Sequence, residues 1–426
     1  MKNFFFIFIV LSVFGVQFFN LYGFKNQNIE KEDCVFNTVF GEVELDSLLT
    51  FETPPAILSS VDEGLKWLKT AQQESGGWGA GHHGYQRQMD PHKVEADPAT
   101  TAMVAMSLLR TGSDLDSGPY HEELLKATEY LLKAVELAPA NGKITALNGT
   151  QIQRKLGDNI DLVLSTQYLT NLLDHLDENT EMYERIFNAL NKGIDMVETH
   201  MTEEGRIKGA GWAGVLQSAF ATNALESAEA KGVNVNMDKF NKSKKYQSSN
   251  YDPVSERVET KDGAGVVLYA VSGSVRANAK ASREAKEIIK KAKLEGVLSE
   301  TAKVNYDNLV KSGINEKEAM ILETANNVYN SAKLKAQDKK TMEGFGNNGG
   351  EEFLSFLQTG ESLVINDDES WTEWYDMMSA NLVKIQNANG SWSGHHCITS
   401  PVFCTATCIL TLTINDDIEN LLTRGE

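Results

Sequence analysis

Two stretches of the chain share one pattern: QQESGGW occupies residues 72–78, and QNANGSW occupies residues 386–392. Each has a Gln, a Gly four residues later and a Trp two residues after that Gly. Each also follows an amphipathic segment and precedes a Thr- and Ala-rich one, TTAMVAMSLL in the first case and CTATCILTL in the second. A loop that recurs between a polar-faced helix and an apolar helix indicates a fold built from repeated helix pairs.

The residue types in this pattern suit a structural staple. A Gln amide can satisfy unpaired backbone groups at helix ends, a Gly permits a tight turn, and an indole covers the exit of the loop. We therefore predict a structural role for Gln72, Gly76, Trp78, Gln386, Gly390 and Trp392.

The chain between these copies alternates in the same way. Polar-faced segments are predicted at 61–73, 121–137, 181–200, 237–249, within 277–340 and at 369–386. Segments that are small or apolar on most sides are predicted at 97–110, 158–175, 212–230, 263–275, 349–359 and 401–413. The first kind fits an outer layer, and the second must be enclosed. The sequence predicts an all-α fold, a closed (α/α)6 toroid, because the similar first and last copies favour closure over an open solenoid.

Three further segments complete the predicted domain organisation. Residues 1–20 (MKNFFFIFIVLSVFGVQFFN) form an apolar run that is short for a membrane span and typical of a signal peptide, with an uncleaved N-terminal anchor as the alternative. Residues 21–55 are predicted as a linker and 56–426 as the toroid domain, with a charged helical insertion at about 276–340 that is broken near Gly296 and Gly313. The protein is expected to be secreted or periplasmic, or tethered to a membrane through its N-terminus.

The amino-acid composition restricts the classes of partner that the protein is expected to bind. The 426 residues include 40 Lys and Arg against 59 Asp and Glu, a formal net charge of −19. Such a chain lacks the clustered basic charge that nucleic-acid binding requires. A hydrophobic small molecule, a glycan or a protein remains as the expected partner.

The two motif copies resemble the QW repeat of the squalene–hopene cyclase and protein prenyltransferase β-subunit superfamily, whose members are α/α toroids. The resemblance implies cyclase or prenyl-transfer chemistry. However, the D-x-D-D motif with which triterpene cyclases protonate an alkene is absent from this sequence, as is the C-G-E-Q string of the thioester domains that share the toroid. We therefore expect a cyclase-like protein without cyclase activity, which binds a hydrophobic ligand or a partner at the central cavity or the rim.

A pair of His residues follows each motif copy, as GHH at 81–83 and GHHC at 394–397. In a closed ring the first and last repeats are neighbours, so both pairs are expected on one rim. The candidate catalytic residues are His82, His83, Asp90, His92, His395 and His396. Duplicated scaffold is the alternative interpretation of the repeated His pairs.

Zinc is the candidate cofactor, since the resemblance to prenyltransferase β subunits implies a zinc held by Asp, Cys and His. The candidate ligands are His395, His396, Cys397, Cys404 and Cys408. Thiolates and imidazoles are the ligands that zinc prefers. Two alternatives stay open: Cys404 and Cys408 could be core residues, and Cys397 could form a disulfide with Cys404.

A second enzymatic hypothesis rests on architecture. Secreted α/α barrels include polysaccharide lyases and glycoside hydrolases, which work in a rim cleft lined with Trp, His, Tyr, Arg and carboxylates. The residues around the first His pair, including Tyr85 and Arg87, would suit such a cleft. Because the net charge is acidic, this hypothesis ranks below a binding role unless the cleft is locally basic.

Overall fold

Helices make up most of the computed structural model, which describes residues 53–423. Fifteen α-helices and one short hairpin occur in this range. In chain order they are α1 Pro55–Ala71, α2 Pro98–Arg110, α3 His121–Leu137, α4 Gln151–Lys155, α5 Ile160–Leu172, α6 Glu181–Thr199, α7 Gly214–Ala230, α8 Met237–Ser248, β1 Tyr251–Asp252, β2 Arg257–Val258, α9 Val267–Leu294, α10 Tyr306–Lys311, α11 Glu316–Gln337, α12 Gly350–Ile365, α13 Trp371–Lys384, α14 Pro401–Leu412 and α15 Ile418–Thr423. The all-α class predicted from the sequence is confirmed.

Six helices that are buried over most of their surface form an inner layer: α2, α5, α7, the first half of α9, α12 and α14. Each of them packs on the next one along the chain, and α14 packs back on α2. The contacts therefore close a ring of inner helices. All six begin at the same end of this ring, which we call the rim, because the start of one inner helix bonds to the start of its neighbour, as Ala99 does to Asp161 (3.1 Å).

Helices α1, α3, α6, α8, α11 and α13 pack against the outside of this ring. In α6, for example, buried residues recur at Ile186, Ala189, Leu190, Gly193 and Val197, while the opposite face is polar. This spacing is that of an amphipathic helix which buries one stripe. The polar-faced segments of the sequence thus form the outer layer.

The first motif loop links its own repeat to the next outer helix. The Gln72 side-chain amide donates to the backbone oxygen of Gly76 (2.9 Å) and to that of Glu123 in α3 (2.8 Å). The Trp78 indole is fully buried and donates to the backbone oxygen of Leu68 (2.9 Å). One side chain therefore ties the turn to its neighbour, and the other ties it to the helix that precedes it.

The last motif loop makes the same bonds across the seam between the last and the first repeat. The Gln386 amide donates to the backbone oxygen of Gly390 (2.8 Å) and to that of Ser60 in α1 (2.9 Å). The buried Trp392 indole donates to the backbone oxygen of Leu382 (2.8 Å). Because α1 follows the last repeat in space as α3 follows the first, these bonds join the two ends of the ring.

Arg110 closes the seam at the opposite end of the ring. Its buried guanidinium donates to the backbone oxygen of Leu410 in α14 (2.9 Å) and pairs with Glu361 (2.6 Å) and Asp417 (2.9 Å). A buried guanidinium is stable only when its donors are met by acceptors of opposite charge. The seam is therefore held at both ends by polar side chains.

The predicted insertion does not begin at residue 276. The structure has one helix, α9, that starts in the ring and continues without interruption to Leu294, because no Gly or Pro occurs between Gly273 and Gly296. The predicted breaks are present, since Gly296 and Gly313 both have positive φ (71° and 92°). Helix α11 returns along α9, and the outer part of this pair has a small core of its own, made of Ala285, Ile289, Leu309, Ala319 and Leu322.

The predicted leader 1–20, and all of the predicted linker 21–55 except its last three residues, lie outside the described residues. Between residues 53 and 423, no helix is both long enough and apolar enough to cross a lipid bilayer. Export therefore stays a prediction.

The contacts at the seam predict that two glycine-to-alanine substitutions differ in their effect on stability. Gly390 has φ 85°, and a Cβ added there would lie 2.6 Å from the backbone oxygen of Glu63 in α1; Gly112 has φ 87° and nothing within 4 Å. Gly112→Ala should cost about 1–2 kcal/mol, the strain of a left-handed backbone. Gly390→Ala should cost at least about 2 kcal/mol more, since the new methyl group also pushes α1 away from the seam. Chemical denaturation measures both, and equal losses would contradict the proposed contact.

Candidate functional site

The loop after the first motif is folded against the short helix α4. The backbone amide of His83 donates to the oxygen of Gly149 (2.9 Å), and that of Gln151 donates to the oxygen of Gly81 (2.8 Å). His82 Nδ1 accepts from the amide of Gly84 (3.0 Å). Helix α4 itself begins with a capping box formed by Thr150 and Gln153. The first His pair is thereby fixed at the rim.

A pocket of about 710 Å³ opens in this loop. It is lined by residues of segments 81–88, 93–95, 147–148 and Thr150, among them His82, His83, Tyr85, Arg87 and Lys93. A volume of this size is typical of small-molecule sites, which span about 300–1,000 Å³. The pocket therefore contains two of the predicted catalytic residues.

The first and last loops meet at the seam. The Gln86 side chain donates to the backbone oxygen of Cys397, and the Thr399 hydroxyl donates to the backbone oxygen of Gln86 (2.6 Å). Gln151 Oε1 accepts from the amide of Thr399 (2.8 Å). The two His pairs are therefore neighbours, and the charge of His396 is close enough to affect His83.

A cluster of titratable side chains lies where these loops meet. The Cys397 thiol is 2.9 Å from Nδ1 of His396 and within hydrogen-bonding reach of the Glu351 carboxyl and the Lys155 ammonium. Cys397 also has a φ of 64°, which is uncommon for a residue with a side chain. The cluster draws on three separate parts of the chain: α4, the start of α12 and the last loop.

Burial sets the protonation of this cluster. It raises the pKa of Glu351 to about 7, and burial together with the Glu351 carboxyl raises the pKa of Cys397 to about 11. A nucleophilic or metal-binding cysteine needs a lowered pKa instead, because the thiolate is the reactive form. Burial also lowers the pKa of His83, and the cations of Lys155 and Arg154 lower it further, so this imidazole is neutral at pH 7.

The predicted zinc ligands are not brought together. Cys404 and Cys408 are fully buried in α14, where burial raises the pKa of both thiols, whereas His395 and His396 are exposed in the preceding loop. In the part of the chain that the structure describes, no group of three or more His, Cys, Asp or Glu side chains could hold a metal ion. Cys397, Cys404 and Cys408 are free thiols, so the alternative disulfide between Cys397 and Cys404 is not formed either.

Two other predicted catalytic residues have local structural partners. The Asp90 carboxylate accepts from the backbone amide of His92 (3.1 Å) and pairs with Lys93 (3.3 Å). Nε2 of His92 lies 2.9 Å from the backbone oxygen of Thr70, at the end of α1. These contacts shape the loop that carries the pocket.

Four residues that the sequence did not point to hold the site together: Gln86, Gln151, Lys155 and Glu351. Only Gln151 lies in a recognisable sequence pattern. It follows Thr150, which begins the Thr-x-x-Gln capping box of α4. The other three act on residues far away in the chain, which no spacing rule reveals.

A pair of buried carboxyls lies beneath the pocket. Asp97 caps α2 and accepts from the amide of Ala80 (2.8 Å), while Asp161 accepts from the amide of Ala99 (3.1 Å) and from Gln153 (2.8 Å). Burial and the negative charge of Asp161 raise the pKa of Asp97 to about 7, and burial raises that of Asp161. At neutral pH the two groups thus resist carrying full charge together.

This pair predicts a pH-dependent stability. A carboxyl whose pKa is raised on folding stabilises the protein below its unfolded pKa of about 4 and loses that contribution as the pH rises through about 7. Asp161→Asn removes one charge of the pair. The unfolding free energy of the wild type should fall between pH 5 and pH 8. In Asp161→Asn we expect this fall to be smaller by at least about 1.4 kcal/mol, the equivalent of one pKa unit. Urea denaturation at both pH values measures it, and parallel pH profiles would contradict it.

No protein-family model matches the chain, and no curated protein matches it. Solved structures of type II terpene cyclase MstE from Scytonema are similar to it in fold. They include the apo enzyme, a variant in complex with geranylgeranyl dihydroxybenzoate and a variant in complex with merosterolic acid A. Each is 14% identical to this chain. Each alignment covers 85% of this chain and 98% of the cyclase chain, and the TM-scores are 0.45, 0.46 and 0.45. The likeness is one of fold.

Proposed function

We propose that this is an exported protein that binds an anionic ligand in the rim pocket, and that it does not act as a terpene cyclase. Export is inferred from the apolar run at residues 1–20. The binding role rests on the pocket of about 710 Å³ and the cations around it. The absence of the D-x-D-D motif argues against alkene protonation.

One cavity inside the ring offers little room for the hydrophobic ligand that we expected from the sequence. All six inner helices line this cavity, which measures about 30 Å³. Arg110 and Arg276 both line it, and each pairs there with a carboxylate, Glu361 (2.6 Å) in the first case and Glu226 (2.6 Å) in the second. A prenyl chain would have to displace these pairs and leave buried charges unpaired. The rim is therefore the better site.

Cations outnumber carboxylates among the residues that line the rim pocket. Arg87 and Lys93 line it together with one carboxylate, Glu95, and Arg154 and Lys155 lie close enough to lower the pKa of the lining residue His83. Lys93 is paired with Asp90, whereas no carboxylate within residues 53–423 lies within ion-pair distance of the exposed Arg87. A free guanidinium presents a fork of donors that matches a carboxylate or phosphate. Arg87 is therefore the residue that we assign to the anionic group.

Cleavage of such a ligand is the second candidate function. His83 favours it, because its imidazole lines the pocket, is kept neutral by burial and nearby cations, and has a buried Nδ1 without a hydrogen-bond partner among the described residues. A neutral imidazole can accept a proton from a bound substrate. A lyase or hydrolase would then use the same pocket, and turnover that His83→Ala abolishes while binding persists would distinguish it from a binder.

A pair of sugars that differ by one carboxylate tests the binding role. Galacturonate should bind the wild type at least about tenfold more tightly than galactose, because only the former offers an anion to Arg87. Arg87→Gln should remove this preference, and added salt should weaken galacturonate alone. Isothermal titration calorimetry measures each affinity. Equal affinity of the wild type for the two sugars, or an Arg87→Gln variant that still prefers galacturonate, would contradict the proposal.

A further inference from the structure

The third Trp that follows a Gly-rich turn at the rim is not buried like the other two. Trp78 and Trp392 are fully buried, and both indoles donate to an outer helix. Trp212 follows the turn GAG at residues 209–211, yet it is 67% exposed. No hydrogen bond from its indole nitrogen is found within residues 53–423. This indole therefore contributes little to the scaffold that its counterparts staple.

Trp212 lies one short helix away from the rim pocket. Its backbone amide donates to the oxygen of Arg154 (3.3 Å), and the next amide, of Ala213, donates to the oxygen of Lys155 (2.7 Å). Those two residues end α4, which begins just after the pocket-lining Thr150. Five helical residues span about 7.5 Å, so the backbone of Trp212 lies about that far from the pocket-lining Thr150.

The surroundings of the indole suit a charged but partly apolar ligand. The Lys155 ammonium lies over the ring, 4.5 Å from its centroid, which leaves the remaining surface to solvent. A flat apolar surface of this kind packs against the carbon-bound hydrogens of a sugar ring. Lys155 is buried, at 3% exposure, so the exposed Arg154 supplies the accessible positive charge beside the indole that attracts acidic groups. An exposed aromatic next to an exposed cation therefore fits a sugar that carries a carboxylate better than a wholly apolar molecule.

We infer that Trp212 forms an aromatic subsite next to the rim pocket, so that the ligand is an acidic oligosaccharide. The sugar with its carboxylate on Arg87 occupies the pocket, and a further sugar packs on the Trp212 indole. This inference rests on the proposed binding function and adds the substrate class and a second point of contact. In this proposal the exposed Trp212 contacts a ligand, whereas the buried Trp78 and Trp392 stabilise the two motif loops.

The test compares a monomer with an oligomer. The monomer galacturonate reaches the pocket alone, whereas trigalacturonate would also cover Trp212. Trp212→Ala should weaken trigalacturonate binding at least tenfold and leave galacturonate unchanged, and Trp212→Phe should recover most of the loss. Leu294→Ala is the matched control, because it removes an 81% exposed apolar side chain at the opposite end of inner helix α9. Isothermal titration calorimetry on each folded variant gives the affinities.

The outcomes separate the two proposals. If Trp212→Ala binds trigalacturonate as the wild type does, the subsite is overturned, the anionic pocket stands, and the exposed indole serves another partner such as a protein. If Trp212→Ala weakens the monomer as much as the trimer, the indole acts on the pocket itself and the subsite is again overturned. If the wild type binds neither sugar, the proposed function and the subsite fall together. Only a loss confined to the trimer supports the inference.

Discussion

The hydrogen bond from the Gln386 amide to the backbone oxygen of Ser60 is the constraint that closes the ring at the rim. It joins the loop of the last repeat to the first outer helix, as Gln72 joins the first loop to the next outer helix. Because the ring is closed there, residues about 310 positions apart become neighbours, and Gln86 can bond to both Cys397 and Thr399. The cluster around Cys397 therefore lies at a place that would not exist in an open solenoid, and the pocket, lined by residues 81–150, lies beside it.

Closure also decides where a ligand can bind. Six inner helices with mostly small and apolar residues pack tightly, and the cavity that they leave is filled by charge pairs such as Arg110 with Glu361 and Arg276 with Glu226. Buried pairs of this kind add specificity to a packing arrangement more readily than stability. On our proposal these pairs disfavour a long apolar ligand in that cavity. Recognition then takes place at the rim, where Arg87 and Lys93 line a pocket in a protein whose net charge is −19.

The sequence predicted the helices better than the site. Alternating amphipathic and apolar segments reveal the two layers, and the two motif copies reveal the loops, because these signals are local. The sequence pattern does not reveal that α9 is one helix, because composition changes at Arg276 although no helix-breaking residue occurs there. The predicted zinc ligands are not brought together among the described residues, because spacing alone does not tell a rim thiol, Cys397, from the core thiols Cys404 and Cys408. Glu351 and Lys155 could not be predicted, because their importance arises only when separate segments meet at the seam.

A crystal structure of the protein with trigalacturonate is the most direct test of the central claim, that the rim pocket beside the closed seam is a site for an acidic saccharide. The account predicts one sugar with its carboxylate against Arg87 and another packed on the indole of Trp212, with the ring interior occupied by its own charge pairs. A saccharide bound inside the ring, or anywhere away from these two residues, would contradict it.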